Sequence, residues 1–168
     1  MHQGMTEQAR LPMVAAAGRR VEVNDTEKSI ARVLSSYESA VFSKDVEAFM
    51  RLYDPGVRVF DTWGVWSYEG AAAWQRAIEG WFTSLGTERV KVAFEEVQTS
   101  GGREVAAVSA IVTYARVSAQ GEQLRAMQNR ITWVLRTTGH NLRIIHEHTS
   151  APIDFNESKA ILERKTSS

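Results

Sequence analysis

Residues 129–153, NRITWVLRTTGHNLRIIHEHTSAPI, contain most of a strand-like segment that begins at Gln123 and all of a second one (141–150), with a short turn between them. Apolar and polar residues alternate within both segments, which is typical of strands with one apolar and one polar face. The turn lies at Gly139 to Asn141, and Pro152 ends the second segment. Two strands that follow each other across so short a turn are expected to pair antiparallel.

Two further strand-like segments come before this pair, and their sequences are RVKVAFEEVQTS (89–100) and REVAAVSAIVTYARVS (103–118). Gly101 and Gly102 separate them, and residues 118–121 form the next turn. The second half of the chain therefore predicts an antiparallel meander. Strands of this length twist strongly, so we expect the sheet to be curved.

Helix-like segments dominate the first half of the chain. Residues 24–26 (Asn, Asp, Thr) favour a helix start, and apolar residues follow them at helical spacing. Asp45 favours the start of a second, shorter helix, and residues 70–86 contain a third. Residues 57–62 alternate like a strand. This order predicts an α+β fold, a cone-shaped roll in which three N-terminal helices pack on a strongly curved, mainly antiparallel sheet.

The length of the chain, 168 residues, is typical of one domain with a sizeable core. Residues 1–23 lack sustained periodicity and are predicted to be a flexible N-terminal tail. The predicted domain spans residues 24–153. Residues 154–168 are predicted to add a C-terminal helix or tail.

Charge and cysteine content exclude several classes of function. Lys plus Arg and Asp plus Glu both number 20, so no global field favours a nucleic-acid or anionic-membrane partner. The chain has no cysteine, which excludes disulfides, thiolate metal sites and cysteine nucleophiles. No apolar run reaches the roughly 20 residues that span a bilayer. We expect a cytoplasmic protein.

Asp61 and Tyr37 are the candidate catalytic residues. Asp61 shares strand parity with Val57 and Val59, so it is expected to point inward, where a carboxylate is costly unless it is paired or used. The alternative is a strand-end aspartate that caps the turn at Gly64. Tyr37 lies on the apolar stripe of the first helix and, on periodicity alone, is better explained as a core residue.

The segment SSYESAVFSKDVEAFMRLYDPGVRVFDTWGVWSYEG (35–70), together with residues 129–153, resembles the nuclear transport factor 2-like superfamily. That superfamily includes SnoaL-like cyclases and ketosteroid isomerases, and the resemblance covers roughly residues 25–153. It implies a cystatin-like roll with an interior pocket. The H-x-H-x-S ending at residues 146–150 is most similar to the association domain of calcium/calmodulin-dependent protein kinase II.

The isomerase resemblance implies roles for both candidates, with Tyr37 as oxyanion donor and Asp61 as general base. Such a site needs a carboxylate that removes a proton next to a carbonyl and a donor that holds the resulting oxyanion. Ketosteroid isomerase is itself the standard case of this logic. The second acid of the isomerases has no counterpart here, because Arg130, Ile131 or Thr132 occupies its strand position.

Further residues are predicted to bind a ligand. The association-domain resemblance implies an inward Arg130, and Thr132 shares its face. His146 and His148 are expected to finish the polar wall of the pocket, although a purely structural role is an alternative. They lack an obvious third ligand, so no metal and no cofactor is predicted.

Aromatic residues cluster near the end of the first strand and along the third helix. They suggest a mouth suited to a flat apolar ligand, and the ones predicted to face it are Trp63, Trp74 and Phe82. Ordinary packing explains such residues as well.

The other face of the sheet is predicted to carry apolar residues that the helices do not cover, among them Trp133, Ile145, Val108 and Val112. An exposed patch of this kind favours self-association, so a homodimer or higher homo-oligomer is predicted.

Two functions remain open from the sequence. The first is cofactor-free proton transfer, by an isomerase, cyclase or lyase, on a hydrophobic carbonyl compound. The second is a non-catalytic ligand-binding or assembly domain. A direct ion pair between Asp61 and Arg130 would hold Asp61 charged and favour binding, whereas their separation would leave proton transfer open.

Overall fold

The computed structural model describes residues 16–102 and 104–164. Three helices, α1 (Ala16–Ser43), α2 (Val46–Met50) and α3 (Ala71–Ser84), pack on one sheet. The strands are β1 (Tyr53–Phe60), β2 (Tyr68–Glu69), β3 (Arg89–Gly101), β4 (Val105–Val117), β5 (Gln123–Thr138) and β6 (Asn141–Ser150).

The six strands form one sheet in the order β2-β1-β6-β5-β4-β3. Every neighbouring pair is antiparallel except β1 and β6, which run parallel. The long strands β3 to β6 are the predicted meander. The predicted fold class, three helices on a curved and mainly antiparallel sheet, is confirmed.

The core lies between the helices and one face of the sheet, which we call the inner face. Helix α1 contributes the predicted apolar stripe, with Ile30, Val33, Tyr37 and Val41 all buried. Burial of such a stripe supplies most of the stability of a helix in a protein. The other side of the sheet, the outer face, is covered by no helix among the described residues.

Helix α1 begins at Ala16, so the predicted start at residue 24 is wrong. Asn, Asp and Thr cost less than about 1 kcal/mol each inside a helix, so they do not force a start where helix-forming residues precede them. Residues 1–15 of the predicted tail lie outside the described residues. By contrast, the second helix begins as predicted, because the Asp45 side chain accepts a hydrogen bond of 2.8 Å from the Ala48 amide.

A β-bulge in β6 changes which residues face inward. Leu135 of β5 pairs with Ile144, but the adjacent Val134 pairs with His146, so Ile145 is an extra residue without a partner. An extra residue reverses the alternation of side chains beyond it. If every second residue from Ile144 is assigned to the inner face, the assignment is correct before the bulge and reversed after it.

Beyond the bulge, Glu147 and Thr149 lie on the inner face, with exposed fractions of 1% and 5%. His146 and His148 lie on the outer face. The prediction that both histidines line the pocket is wrong, because it continued the period of two through the bulge.

The inner and outer residues of β5 are also the reverse of those predicted. Asn129, Ile131 and Trp133 are buried, whereas Arg130 and Thr132 are exposed. Burying Ile131 and Trp133 removes apolar area from water, whereas burying an unpaired guanidinium costs desolvation energy. The free energy of burial therefore favours Ile131 and Trp133 on the inner face. Arg130 and Thr132 do not reach the interior.

The outer face is less apolar than predicted. Trp133, Val108 and Val112 all belong to the buried core, with exposed fractions of 1% or less. Ile145 is half-buried at the bulge. The large apolar residues of β4 and β5 face the helices, since only that side offers a surface to cover them.

The C-terminal segment returns to the sheet after β6. Residues 151–164 contain no helix, and the segment doubles back through a bridge between Ile153 and Ala160. The Gln128 amide then donates a hydrogen bond of 2.7 Å to the Leu162 carbonyl. Arg164 binds Glu96 of β3 at 2.6 Å. The segment thus lies alongside β5 where β6 has ended, and the division of the chain at residues 23 and 153 stays a prediction.

Within residues 16–102 and 104–164, no helix has both the length and the apolar character that a membrane span requires.

Candidate functional site

A cavity of about 890 Å³ lies between α1, α3 and the inner face of the sheet. This volume falls within the range of small-molecule sites. Glu147 and Tyr37 are almost completely buried and form part of its floor, whereas Trp63 and Arg125 are exposed and lie at its mouth. The C-terminal segment contributes Leu162 to the wall. The cavity is therefore open at one end of the cone.

Asp61 lies on the cavity wall directly after β1, on the side that its strand parity predicts. Its Oδ1 accepts a hydrogen bond of 2.9 Å from the Thr149 hydroxyl. Burial raises the pKa of Asp61, and the Thr149 hydroxyl with the amides of Thr62 and Trp63 partly offsets that rise. No cationic side chain among the described residues forms an ion pair with Asp61.

Tyr37 and Tyr114 form a hydroxyl pair in the same cavity, with 3.0 Å between their oxygens. Two hydroxyls carry two hydrogens, and their mutual hydrogen bond uses one. The second hydrogen remains available to an oxygen in the cavity. Burial raises the pKa of both phenols well above the ordinary value, and the charge of Asp61 contributes to the rise at Tyr114. Both hydroxyls are therefore neutral donors at ordinary pH.

Glu147 is a second carboxyl group of the cavity, and its exposed fraction is 1%. Its Oε2 accepts hydrogen bonds from the Tyr53 hydroxyl at 2.6 Å and from Trp133 Nε1 at 2.8 Å. Burial raises the pKa of Glu147 to about 7; the two hydrogen bonds oppose the rise and the charge of Asp61 adds to it. Asp61 and Glu147 are therefore two carboxyl groups of the cavity in different surroundings, and the exposed Glu163 of the C-terminal segment is a third.

The predicted aromatic mouth is present in part. Trp63 and Trp74 line the cavity, and Trp81 of α3 does so as well. Phe82 packs against Phe49 and Trp81, with ring centroids 6.0 Å and 5.1 Å away. Phe82 therefore belongs to the core, and it is not one of the described residues that line the cavity.

The other predicted ligand-binding residues lie on the outer face. The ring of Phe60 contacts His146 and His148, with centroids 5.1 Å and 5.7 Å away. The Arg58 guanidinium lies 4.8 Å from the centroid of the same ring. Thr132 pairs with His148 across the two strands, and we call these five residues the outer cluster. Like Arg130, the cluster is separated from the cavity by the sheet.

The cavity beside Asp61 and Tyr37 is also lined by Glu147, Tyr114 and Asn129, which were not predicted from the sequence. A signal was present for Asn129, because it shares strand parity with the apolar Ile131 and Trp133. Periodicity alone could not assign Glu147, since the bulge before it is a feature of the pairing. Asn129 Oδ1 is buried and has no hydrogen-bond partner among the described residues.

Within the part of the chain that the structure describes, no three His, Asp or Glu side chains converge as a metal site would need.

The chain matches the sequence model of one known domain family. The sequence model of the SnoaL-like domain matches residues 30–154, which is more than half of the chain. No protein of curated function matches. The match begins within α1, ends at the start of the C-terminal segment and includes Asp61 and Glu147.

Solved structures share the fold at low identity. An NTF2-like protein of unknown function from Pseudomonas putida KT2440 has a TM-score of 0.75 at 20% identity, with 86% of this chain and 99% of that chain covered. A proposed calcium/calmodulin dependent protein kinase II association domain from Xanthomonas campestris has a TM-score of 0.63 at 17% identity, with coverage of 89% and 97%. A proposed aromatic ring hydroxylase from Novosphingobium aromaticivorans has a TM-score of 0.58 at 18% identity, with coverage of 76% and 88%. At these identities the likeness concerns the fold.

Proposed function

The chain belongs to the SnoaL-like domain family, and from this premise we propose that its cavity binds a hydrophobic carbonyl compound and catalyses proton transfer on it without a cofactor. Asp61 is the base that removes a proton from the carbon next to the carbonyl. The Tyr37–Tyr114 pair donates a hydrogen bond to the oxygen, where negative charge develops. Aromatic side chains at the mouth and along α3 hold the flat body of the substrate.

The observation that carries the proposal is the state of Asp61. Its carboxyl group faces a cavity with aromatic walls, accepts a hydrogen bond from Thr149, and has no cation beside it among the described residues. An ion pair would hold such a carboxylate charged and unreactive, and Arg130, the candidate partner, lies on the opposite side of the sheet. Separation from Arg130 therefore leaves proton transfer open, as the catalytic proposal requires.

The Tyr37–Tyr114 pair supports the same chemistry. A hydroxyl that accepts a hydrogen bond becomes a better donor through its own hydrogen, so the pair is a stronger donor than an isolated tyrosine. Tyr37 is buried and anchored by the rings of Phe49, Phe94 and Trp133, at centroid distances from 5.0 Å to 5.7 Å. The pair is therefore fixed before any ligand binds, as electrostatic catalysis requires.

The test uses 2-tetralone, a flat neutral ketone with acidic protons next to its carbonyl. The protein is expected to accelerate exchange of these protons in deuterated water, followed by NMR, and 2-naphthol should inhibit the exchange because it mimics the enolate. Three ketones are compared: 2-tetralone, 2-indanone and phenylacetone. The proposal is contradicted if they displace bound 2-naphthol but the protein accelerates proton exchange on none of them. That result would favour the non-catalytic binding domain.

Replacement of Tyr114 by phenylalanine is expected to weaken 2-naphthol binding by about fivefold, since a typical hydrogen bond contributes about 1 kcal/mol. Fluorescence titration of 2-naphthol measures the change. Phenylalanine keeps the ring that contacts Trp81, so the packing of the wall should persist. Unchanged affinity in Tyr114→Phe would remove the hydroxyl pair from the ligand site.

We also propose that the chain forms a homodimer or higher homo-oligomer through the outer face. The outer cluster supports this, because it presents an aromatic ring flanked by two imidazoles on a surface that no helix of residues 16–102 and 104–164 covers. His148→Glu is expected to lower the subunit count in native mass spectrometry, since the added charges would meet at a twofold interface. The same variant should bind 2-naphthol within about twofold of the original affinity, because His148 lies outside the cavity. A monomeric parent protein would contradict the oligomer, and a large loss of affinity would contradict the placement of His148.

A further inference from the structure

Glu147 is a buried carboxyl group that the proposed reaction has not used. The side chain has an exposed fraction of 1%, and among the described residues no cation forms an ion pair with it. Burying a carboxyl group without a cation is costly in a protein interior. Such a group is expected either to hold a proton or to serve a function.

The two oxygens of Glu147 differ in their surroundings. Oε2 is fixed by the Tyr53 hydroxyl and by Trp133 Nε1, so its acceptor positions are used. Oε1 accepts no hydrogen bond from any described residue, and the side chain lines the cavity. Because both partners of Oε2 are donors, a proton on Glu147 belongs on Oε1. A bound molecule would therefore meet the O–H of a neutral carboxylic acid.

The groups facing Glu147 come from every element around it. They are Tyr37 of α1, Tyr53 of β1, Tyr114 of β4, Trp133 of β5 and Asp61 after β1. The phenols are neutral, so Asp61 supplies the nearby charge. Asp61 is only half-buried and has more polar donors, whereas Glu147 is buried more deeply. When the two carboxyl groups share one proton, Glu147 is the group that holds it.

Resting on the proposed role of Asp61 as base, we propose that Glu147 is a general acid that contacts the substrate, and that the cavity therefore eliminates water from β-hydroxy ketones. Asp61 takes the proton from the carbon next to the carbonyl, and the electron pair of that C–H bond forms the C=C bond. The C–O bond at the β-carbon breaks, and the hydroxyl leaves as water with the proton from Glu147 Oε1. The proton on Asp61 then returns to Glu147 through solvent, which restores both groups.

The experiment compares two probes, 2-tetralone and 4-hydroxy-2-tetralone. Exchange on 2-tetralone needs Asp61 and the hydroxyl pair but no acid at a leaving group. Elimination from 4-hydroxy-2-tetralone needs both groups and gives the keto form of 2-naphthol, whose aromatic tautomer is fluorescent. In Glu147→Gln the elimination rate is expected to fall by about 100-fold or more, which is the lower range for a lost general acid, and to fall much further than the exchange rate. An equal fall in both rates, or no fall in elimination, would overturn the proposal.

Tyr53→Phe provides a second variant that leaves Glu147 in place. It removes a hydrogen bond that lowers the pKa of Glu147, so that pKa should rise. The elimination rate of the parent protein should decline as the pH passes about 7, where Glu147 loses its proton. In Tyr53→Phe the decline should move to higher pH. A decline that stays at the same pH in Tyr53→Phe would overturn the assignment of Glu147 as the acid.

Failure of this inference is distinguishable from failure of the proposed function. A parent protein that accelerates exchange on 2-tetralone but not elimination from 4-hydroxy-2-tetralone keeps Asp61 as base and overturns the acid role of Glu147. A parent protein that accelerates neither reaction, while its cavity binds 2-naphthol, overturns both proposals.

Discussion

Asp61→Asn is expected to lower the rate of proton exchange on 2-tetralone by about 100- to 10,000-fold, the range for loss of a positioned general base. Asparagine has the shape of aspartate and can still accept the hydrogen bond from Thr149, so the wall of the cavity should keep its geometry. It cannot take a proton from carbon. The loss should appear in the maximal rate, because the variant lacks an interaction made in the transition state.

Two measurements separate a chemical loss from a damaged cavity. Asp61→Asn should bind 2-naphthol at least as tightly as the parent protein, since it removes a negative charge that acts on Tyr114. Asp45→Asn is the matched control, because Asp45 caps α2 outside the cavity and asparagine caps a helix about equally well. Exchange rates in Asp61→Asn within about threefold of the parent would show that Asp61 is not the base.

The second large effect concerns stability. Glu147→Gln is expected to gain stability relative to the parent protein, by on the order of 3 kcal/mol, as the pH rises from 4.5 to about 7. The pKa of Glu147 is raised in the folded protein, so between these values the native state binds more protons than the unfolded chain. Stability must then fall with rising pH, and glutamine removes this contribution because it does not titrate.

Urea unfolding of both proteins across that pH range measures this effect. Asp61 remains in both chains, so its own raised pKa largely cancels in the difference. Glutamine can also accept the hydrogen bonds from Tyr53 and Trp133, which keeps the comparison conservative. A difference in unfolding free energy that does not vary with pH would show that Glu147 ionises at its ordinary value in the folded protein.

The sequence was sufficient to predict the fold class and most of the elements, although α1 begins earlier than predicted. The strands β3 to β6 were predicted within about two residues, because long alternating runs with glycine turns leave few other arrangements. The inward position of Asp61 also followed from alternation, since Val57 and Val59 are both buried and the pairing with β6 is regular from Arg58 to Phe60. The inward position of Tyr37 followed from the apolar stripe of α1. Tyr37 and Asp61 line the same cavity.

The rest of the candidate site depends on tertiary pairing. One extra residue at Ile145 reverses the second half of β6, so the carboxyl group of Glu147 faces the cavity and both histidines face outward. Tyr114 was not recognised because its role arises from a contact with Tyr37, 77 residues away in the chain. Arg130 was assigned by resemblance, and burial of the neighbouring Ile131 and Trp133 decides against it.

The bulge also affects how this chain should be aligned with its relatives. The pairing of β6 with β5 is regular on both sides of Ile145, because the bulge accommodates the extra residue. A chain without that residue would therefore form the same cavity wall. An alignment that forbids a gap at this point would place a histidine of one protein opposite an inward acid of another. Family signatures built around residues 146–150 should therefore allow a single-residue gap at Ile145 before any position is compared for its chemistry.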